Sequence, residues 1–189
     1  MSTQSNTRYG AVAQALHWLT AILVLVAFVY GLGGTEQRVY APSRDFERQL
    51  HESLGLCVLV VTALRLLWRR IDIRPRPTAG ARWMDAAAST VQALLYLLLL
   101  AVPLTAIVGA WLEGHPLTLL GGAGIPSPFG VSHAAGALLA RIHPWLADAI
   151  MWVAGLHAAA ALFHQFVLKD EVLGKMLPRG LLPARRTED

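Results

Sequence analysis

RIHPWLADAIMWVAGLHAAAALFHQFVL, residues 141–168, is the stretch whose reading decides the fold. After Arg141 its only acidic, basic or imidazole side chains are His143, Asp148, His157 and His164. An apolar run of this length spans a hydrocarbon core of about 30 Å as a single helix, here 142–168. Imidazoles and carboxylates within such a helix are costly in lipid, so they should face protein or a cofactor. His143 and His157 are fourteen residues apart. That spacing puts them about 40° apart in azimuth and roughly 21 Å apart along a helix axis. One helix therefore offers two imidazoles on nearly the same face at two depths.

Three more crossings precede it. No charge lies between Arg8 and Glu36, and 11–32 is long enough to span, with His17 near its start. A cleaved export signal is the competing reading, since Arg8 is a positive flank and Gly31, Gly33 and Gly34 follow the run. The run is too long for a typical export core, and His17 and Trp18 have no role in one. The second crossing, 49–68, is entered through Arg48, His51 and Glu52 and left through Arg65, Arg69 and Arg70, with Arg65 able to snorkel to the interface. The third, 86–112, has no charge between Asp85 and Glu113, and Pro103 should bend it without ending it. The connection from Glu113 to Arg141 is Gly- and Pro-rich up to Gly130, after which 133–141 reads as a short interfacial helix. Residues 169–189 read as a loosely ordered basic tail on anionic lipid. The expected fold class is all-α, a single integral membrane four-helix bundle over 1–189.

Composition agrees with a membrane class, at 55% apolar and 15% charged residues. Cys57 is the only cysteine, which excludes an internal disulfide and a thiolate-held iron–sulfur cluster within one chain. Arginines 69, 70, 74, 76 and 82 crowd the link between crossings two and three, broken by Pro75 and Pro77. The tail adds Lys169, Lys175, Arg179, Arg185 and Arg186, whereas the opposite loops hold Arg38, Arg44, Arg48 and Arg141. The positive-inside rule then makes both termini cytoplasmic in a bacterial inner (plasma) membrane. The formal net charge of +4 reflects topology and anionic lipid, with no need for a nucleic-acid partner.

Direction and depth pair the histidines. His17 and His157 meet toward the cytoplasmic side, and His51 and His143 toward the outer side. Imidazole is a common axial ligand of haem iron, so two stacked bis-histidine haems fit this layout. A crossed pair such as His51 with His157 would ask one haem to bridge most of the membrane. Small residues one turn after the four histidines, Ala21, Gly55, Ala147 and Ala161, leave room for a porphyrin and are equally expected for helix packing. For each histidine the alternative is a buried ring satisfied by a carbonyl, and His143, beside Pro144, stands at an interface. His115 and His133 read as solvated loop residues. His164 reads either as a proton-handling group at a quinone pocket or as an interfacial histidine.

The segments LHWL (16–19), LHESLG (50–55), RLLWR (65–69), RIHPWLADAIMWVAGLHAAAALFH (141–164) and LKD (168–170) carry a resemblance. Through them nearly the whole chain resembles the bacterial cytochrome b-561 family of small di-haem, quinone-linked membrane proteins. The resemblance implies two haem b groups with His17, His51, His143 and His157 as iron ligands. It also implies superoxide oxidation at the outer face, with electrons passed to ubiquinone. Arg48 and Arg141 lie within a turn of the outer ligands and would either steer the superoxide anion or pair with haem propionates. Other members are membrane subunits that link a dehydrogenase or hydrogenase partner to the quinone pool, and that role is the alternative. A metal-ion transporter would want carboxylates along a path, and only Asp148 lies well inside a crossing.

Overall fold

The computed structural model describes residues 8–31, 36–72, 82–169 and 172–177. Arg74, Arg76, Pro75, Pro77, Gly33, Gly34 and the tail beyond residue 177 lie outside the described residues. Helix α1 (Ala11–Val29) is followed by the four-residue α2 (Glu36–Val39), and a 3-10 turn (Pro42–Arg44) leads into α3 (Asp45–Ile71). Then come α4 (Arg82–Glu113) and α5 (His133–Phe163), which continues through a π-helical turn (His164–Leu168) to the short α6 (Val172–Met176). The four long helices α1, α3, α4 and α5 are each long and apolar enough to cross a membrane, so this is a membrane protein.

Helix ends depart from the sequence reading for local reasons. α1 stops at Val29 instead of 32: the Tyr30 N–H makes the last i→i−4 bond, to the Val26 carbonyl, and the Gly31 N–H turns back onto the Phe28 carbonyl. That turn leaves the Ala27 carbonyl without a helical partner. α3 starts at Asp45 instead of 49, with Asp45 and Glu47 in its first turn where the helix dipole favours negative charge. α4 closes on Gly114 at φ +90, with His115 N–H on the Ala110 carbonyl (2.9 Å) and Gly114 N–H on the Trp111 carbonyl (3.1 Å). This is a Schellman cap, and its left-handed position favours glycine.

Two larger corrections follow. The expected interfacial helix 133–141 and the last crossing are one continuous helix. Pro144 does not break it, because a proline inside a membrane helix removes one hydrogen bond that its surroundings can tolerate. The segment after the last crossing is docked where it is described, up to residue 177. Arg8 donates to the Gly174 (2.6 Å) and Leu177 (2.7 Å) carbonyls, Gln14 to that of Lys175 (3.1 Å), and Trp18 to that of Met176 (3.0 Å). Exposed carbonyls at the end of a short helix thus meet donors from the start of α1.

The connection from α4 to α5 holds a small hairpin of β1 (Leu117–Thr118) and β2 (Gly124–Ile125), antiparallel, with Leu117 opposite Ile125. The core is a mid-bundle layer of Val58, Leu98, Leu99 and Ile150, flanked by Leu23, Val24 and Val153. α1 packs on α3, α3 on α4, and α4 most extensively on α5. α5 stands off from α1 and α3.

Close approach of α4 and α5 rests on small residues. A Cβ added at Gly109 would lie 3.3 Å from the Leu139 Cβ and 3.5 Å from the Ala140 nitrogen. A branched side chain there has to push α5 away. Gly109→Val is expected to destabilise the purified protein by about 1–3 kcal/mol, read as an earlier midpoint in detergent-denaturation titrations. An unchanged midpoint would mean that this contact is not tight.

Candidate functional site

α5 supplies two imidazoles, and the helices from which it stands off supply their partners. His143 on α5 faces His51 on α3 with ring centroids 6.1 Å apart and planes at 84°. His157 on α5 faces His17 on α1 at 6.4 Å and 68°. These are the two pairs expected from direction and depth. Ile150, seven residues from each α5 histidine, belongs to the core layer and separates the pairs.

At the His51 end the rings are oriented by main chain. His51 Nδ1 lies 2.9 Å from the Ala27 carbonyl, the oxygen left free by the early end of α1. His143 Nδ1 lies 2.9 Å from the Val102 carbonyl. A carbonyl only accepts, so both rings carry the proton on Nδ1 and leave Nε2 with its lone pair free. A histidine prepared to bind a metal through Nε2 has this arrangement. Between the two rings opens a cavity of about 960 Å³, lined with small and apolar side chains such as Val24, Gly55, Leu99, Ala106 and Ala147.

Charge at this end is largely paired. The Arg48 guanidinium holds Asp45 at 2.8 Å and Glu52 at 3.2 Å and lies over the Tyr40 ring. Its Nε is buried with no hydrogen-bond partner. Arg141 also lines the cavity and is exposed. Glu52 reaches further, accepting the Thr118 N–H of β1, while Ser53 Oγ accepts the Leu120 N–H at 2.8 Å. The hairpin is therefore clamped to the start of α3. The two loop histidines do not behave alike. His115 is stacked on Tyr40 with centroids 3.6 Å apart, which corrects its reading as a solvated residue. His133 is largely exposed and pairs with Glu113 at 3.0 Å.

The His17 end is built differently. Arg65 does not extend to the interface as expected. Its guanidinium lies 3.3 Å from His17 Nδ1 and over the Tyr96 ring. His17 also meets the Trp18 ring edge-on at 5.4 Å. His164 lies in the π-helical turn next to the docked α6, apart from the residues that line the His51 cavity.

Sequence reading missed Arg65, the Glu52 clamp and the two carbonyls that hold Nδ1. Only the Ala27 carbonyl had a signal, the glycine at 31 just past the apolar run.

A four-helix membrane bundle with facing imidazoles at two levels defines a class of membrane cytochromes. The family model described as prokaryotic cytochrome b561 matches residues 8–179. Cytochrome b562 of Cereibacter sphaeroides is 37% identical over 175 residues, covering 89% of this chain and 94% of that protein. Cytochrome b561 homolog 2 of Escherichia coli K12 is 31% identical over 176 residues, covering 93% and 94%. A protein of Yersinia pestis named probable superoxide oxidase CybB is 29% identical over 177 residues, covering 92% and 98%. The chain belongs to the prokaryotic cytochrome b561 family. Membership implies electron transfer with b-type haem.

Glu52→Ala removes a charged acceptor from a backbone N–H, worth about 1.5–3 kcal/mol. Amides 117–125 should then exchange with deuterium about tenfold faster or more. Unchanged exchange would mean the hairpin is held elsewhere.

Proposed function

We propose that this protein carries electrons across a bacterial inner membrane from a one-electron donor at the outer face to ubiquinone, using two haem b groups. His51 and His143 hold the outer haem, and His17 and His157 the inner. The observation that carries the reading is the spacing of the rings. With metal–nitrogen bonds of about 2 Å, two imidazoles on opposite sides of one iron have centroids about 6 Å apart, as both pairs do. The standing-off of α5 from α1 and α3 is the second support, since a porphyrin needs a slit between ligand-bearing helices.

Haem, when bound, supplies reversible one-electron redox chemistry at iron. The chain's own residues do the rest. The Ala27 and Val102 carbonyls fix the tautomers of the outer pair, and the core around Ile150 keeps water out of the layer between the sites. His164 is proposed as a proton-handling group for quinone. Cytoplasmic termini are supported by the basic residues at that end, Arg69, Arg70, Arg82, Lys169 and Lys175 among the described ones.

The donor proposed is superoxide, supported by the name of the Yersinia pestis relative. The balance is two superoxide anions and one ubiquinone, with two protons, giving two dioxygen molecules and one ubiquinol. Arg141 is the proposed steering cation. Arg48 is less suited to that role, because two carboxylates already compensate it; its free Nε can donate to a cofactor carboxylate instead. A second reading draws on the same charges. Among the residues that line the cavity, the carboxylates of Glu52, Glu113 and Asp148 outnumber the guanidiniums of Arg48 and Arg141, which favours a basic redox protein as donor.

The purified protein is expected to hold two low-spin haems per chain, counted by reduced-minus-oxidised spectra. His143→Ala should remove one of them and leave the other. A single haem in the native protein, or loss of neither in the variant, overturns the assignment. With enzymatically generated superoxide, the purified protein alone should reduce a soluble ubiquinone, and Arg141→Glu should slow this several-fold at low salt, less at high salt. No reduction without an added donor protein would favour the second reading.

A further inference from the structure

Among the described residues Arg65 is a cation without a counter-ion. It lies on α3, six residues before the helix ends at Ile71, and its guanidinium faces into the bundle. It donates to the His17 imidazole and hydrogen-bonds the Tyr96 side chain, over whose ring Arg69 also lies at 5.7 Å. Among the described residues no carboxylate forms a salt bridge with it. One turn to either side on α3, Thr62 Oγ1 and Trp68 Nε1 are buried with no hydrogen-bond partner, and Thr62 is fully buried. Donors left unpaired in a low-dielectric interior are expensive, and so is a guanidinium with no carboxylate beside it. The donors along this flank of α3 call for an acceptor, and the charge calls for an anion.

The contact with His17 identifies where the anion comes from. Arg65 has only N–H groups to offer, so His17 Nδ1 must accept, and the ring's proton then sits on Nε2. A ring in that state cannot give Nε2 to a metal. Ligation through Nε2 moves the proton to Nδ1, which can no longer accept from an arginine. The Arg65 contact and iron ligation by His17 therefore exclude each other.

We propose that Arg65 leaves His17 when a porphyrin enters between His17 and His157, and pairs instead with one of its carboxylates, raising the potential of that haem. The proposal rests on the reading of His17 and His157 as an axial pair. A positive charge beside a redox centre favours its reduced form, so loss of Arg65 lowers the potential. Arg65 acts here as a positioning residue and as a local field, with no part in bond making.

The test uses purified, quinone-stripped holoprotein with two measurements, potentiometric titration of both haems and the rate of haem loss to apomyoglobin. Arg65→Gln is expected to lower the potential of one haem only, and to speed the loss of one haem by about tenfold or more. Arg65→Lys, which keeps the charge, should restore most of the potential. Reconstituted with haem dimethyl ester, which has no free carboxylate, native and Arg65→Gln proteins should lose haem at equal rates. A tenfold difference that persists with the ester overturns the carboxylate pairing, as does a shift of potential that appears only when quinone is added back. If Arg65→Gln does not retain the haem, Arg65→Lys decides. Retention with near-native potential supports the charge role, and loss in both variants makes Arg65 a packing residue and overturns the proposal. A native protein with fewer than two haems per chain would instead refute the axial-pair reading itself, so the two failures are distinct.

Discussion

Imidazole nitrogens inside a hydrocarbon slab must each find a partner, and this bundle is arranged around that requirement. At the His51 end it is met by backbone oxygens. The Ala27 carbonyl is free because α1 ends early, and the ring of His51 takes it. The length of α1 thereby sets the tautomer of a histidine on α3. The Val102 carbonyl does the same for His143, from a turn of α4 that contains Pro103 and also receives the Thr105 hydroxyl. With Nδ1 committed in both rings, the remaining nitrogens face one cavity, and neither ring needs to reorganise to accept a ligand there.

The same requirement explains why α5 packs so unequally. Its contact with α4 is made close by Gly109 and Gly136, whereas its opposite flank is held away from α1 and α3. A Cβ at Gly136 would come within 2.6 Å of the Glu113 carboxylate, so this glycine lets the end of α4 close down on the start of α5. α4, with no histidine of its own, is the brace that fixes α5. The slit it leaves is interrupted at mid-depth by Ile150 and its neighbours, an apolar layer that keeps the two histidine pairs apart.

Much of this was legible in the sequence. The four crossings, the pairing of His17 with His157 and of His51 with His143, and the two levels on one helix follow from uncharged length, direction and a fourteen-residue spacing. What escaped was set by contacts between distant segments. Nothing in the residues before His133 or after Arg141 announces that the interfacial helix and the crossing are one. Pro144 lies inside the continuous helix, where its missing hydrogen bond is tolerated. Arg65 near a helix end reads as a snorkelling residue because sequence gives its depth and not its rotamer. Arg8 read as the positive flank of a competing export signal, yet it donates to the Gly174 carbonyl of α6 from 166 residues away.

The two ends also differ in the field they impose, and that difference bears on direction. Carbonyl oxygens on Nδ1 make His51 and His143 stronger electron donors, which stabilises an oxidised metal held between them. At the His51 end Arg48 is compensated by Asp45 and Glu52, whereas the guanidinium beside His17 has no carboxylate partner among the described residues, and its positive charge stabilises a reduced metal. On the proposed ligand assignment, an electron is therefore held less tightly at the outer pair than at the inner pair. The rings of the His51 pair are oriented by neutral main chain and a guanidinium lies beside His17, so the polarity follows from where α1 ends and where α3 carries its arginine. On the proposed assignment, transfer from the His51 pair to the His17 pair is then downhill, whichever one-electron donor supplies the electron.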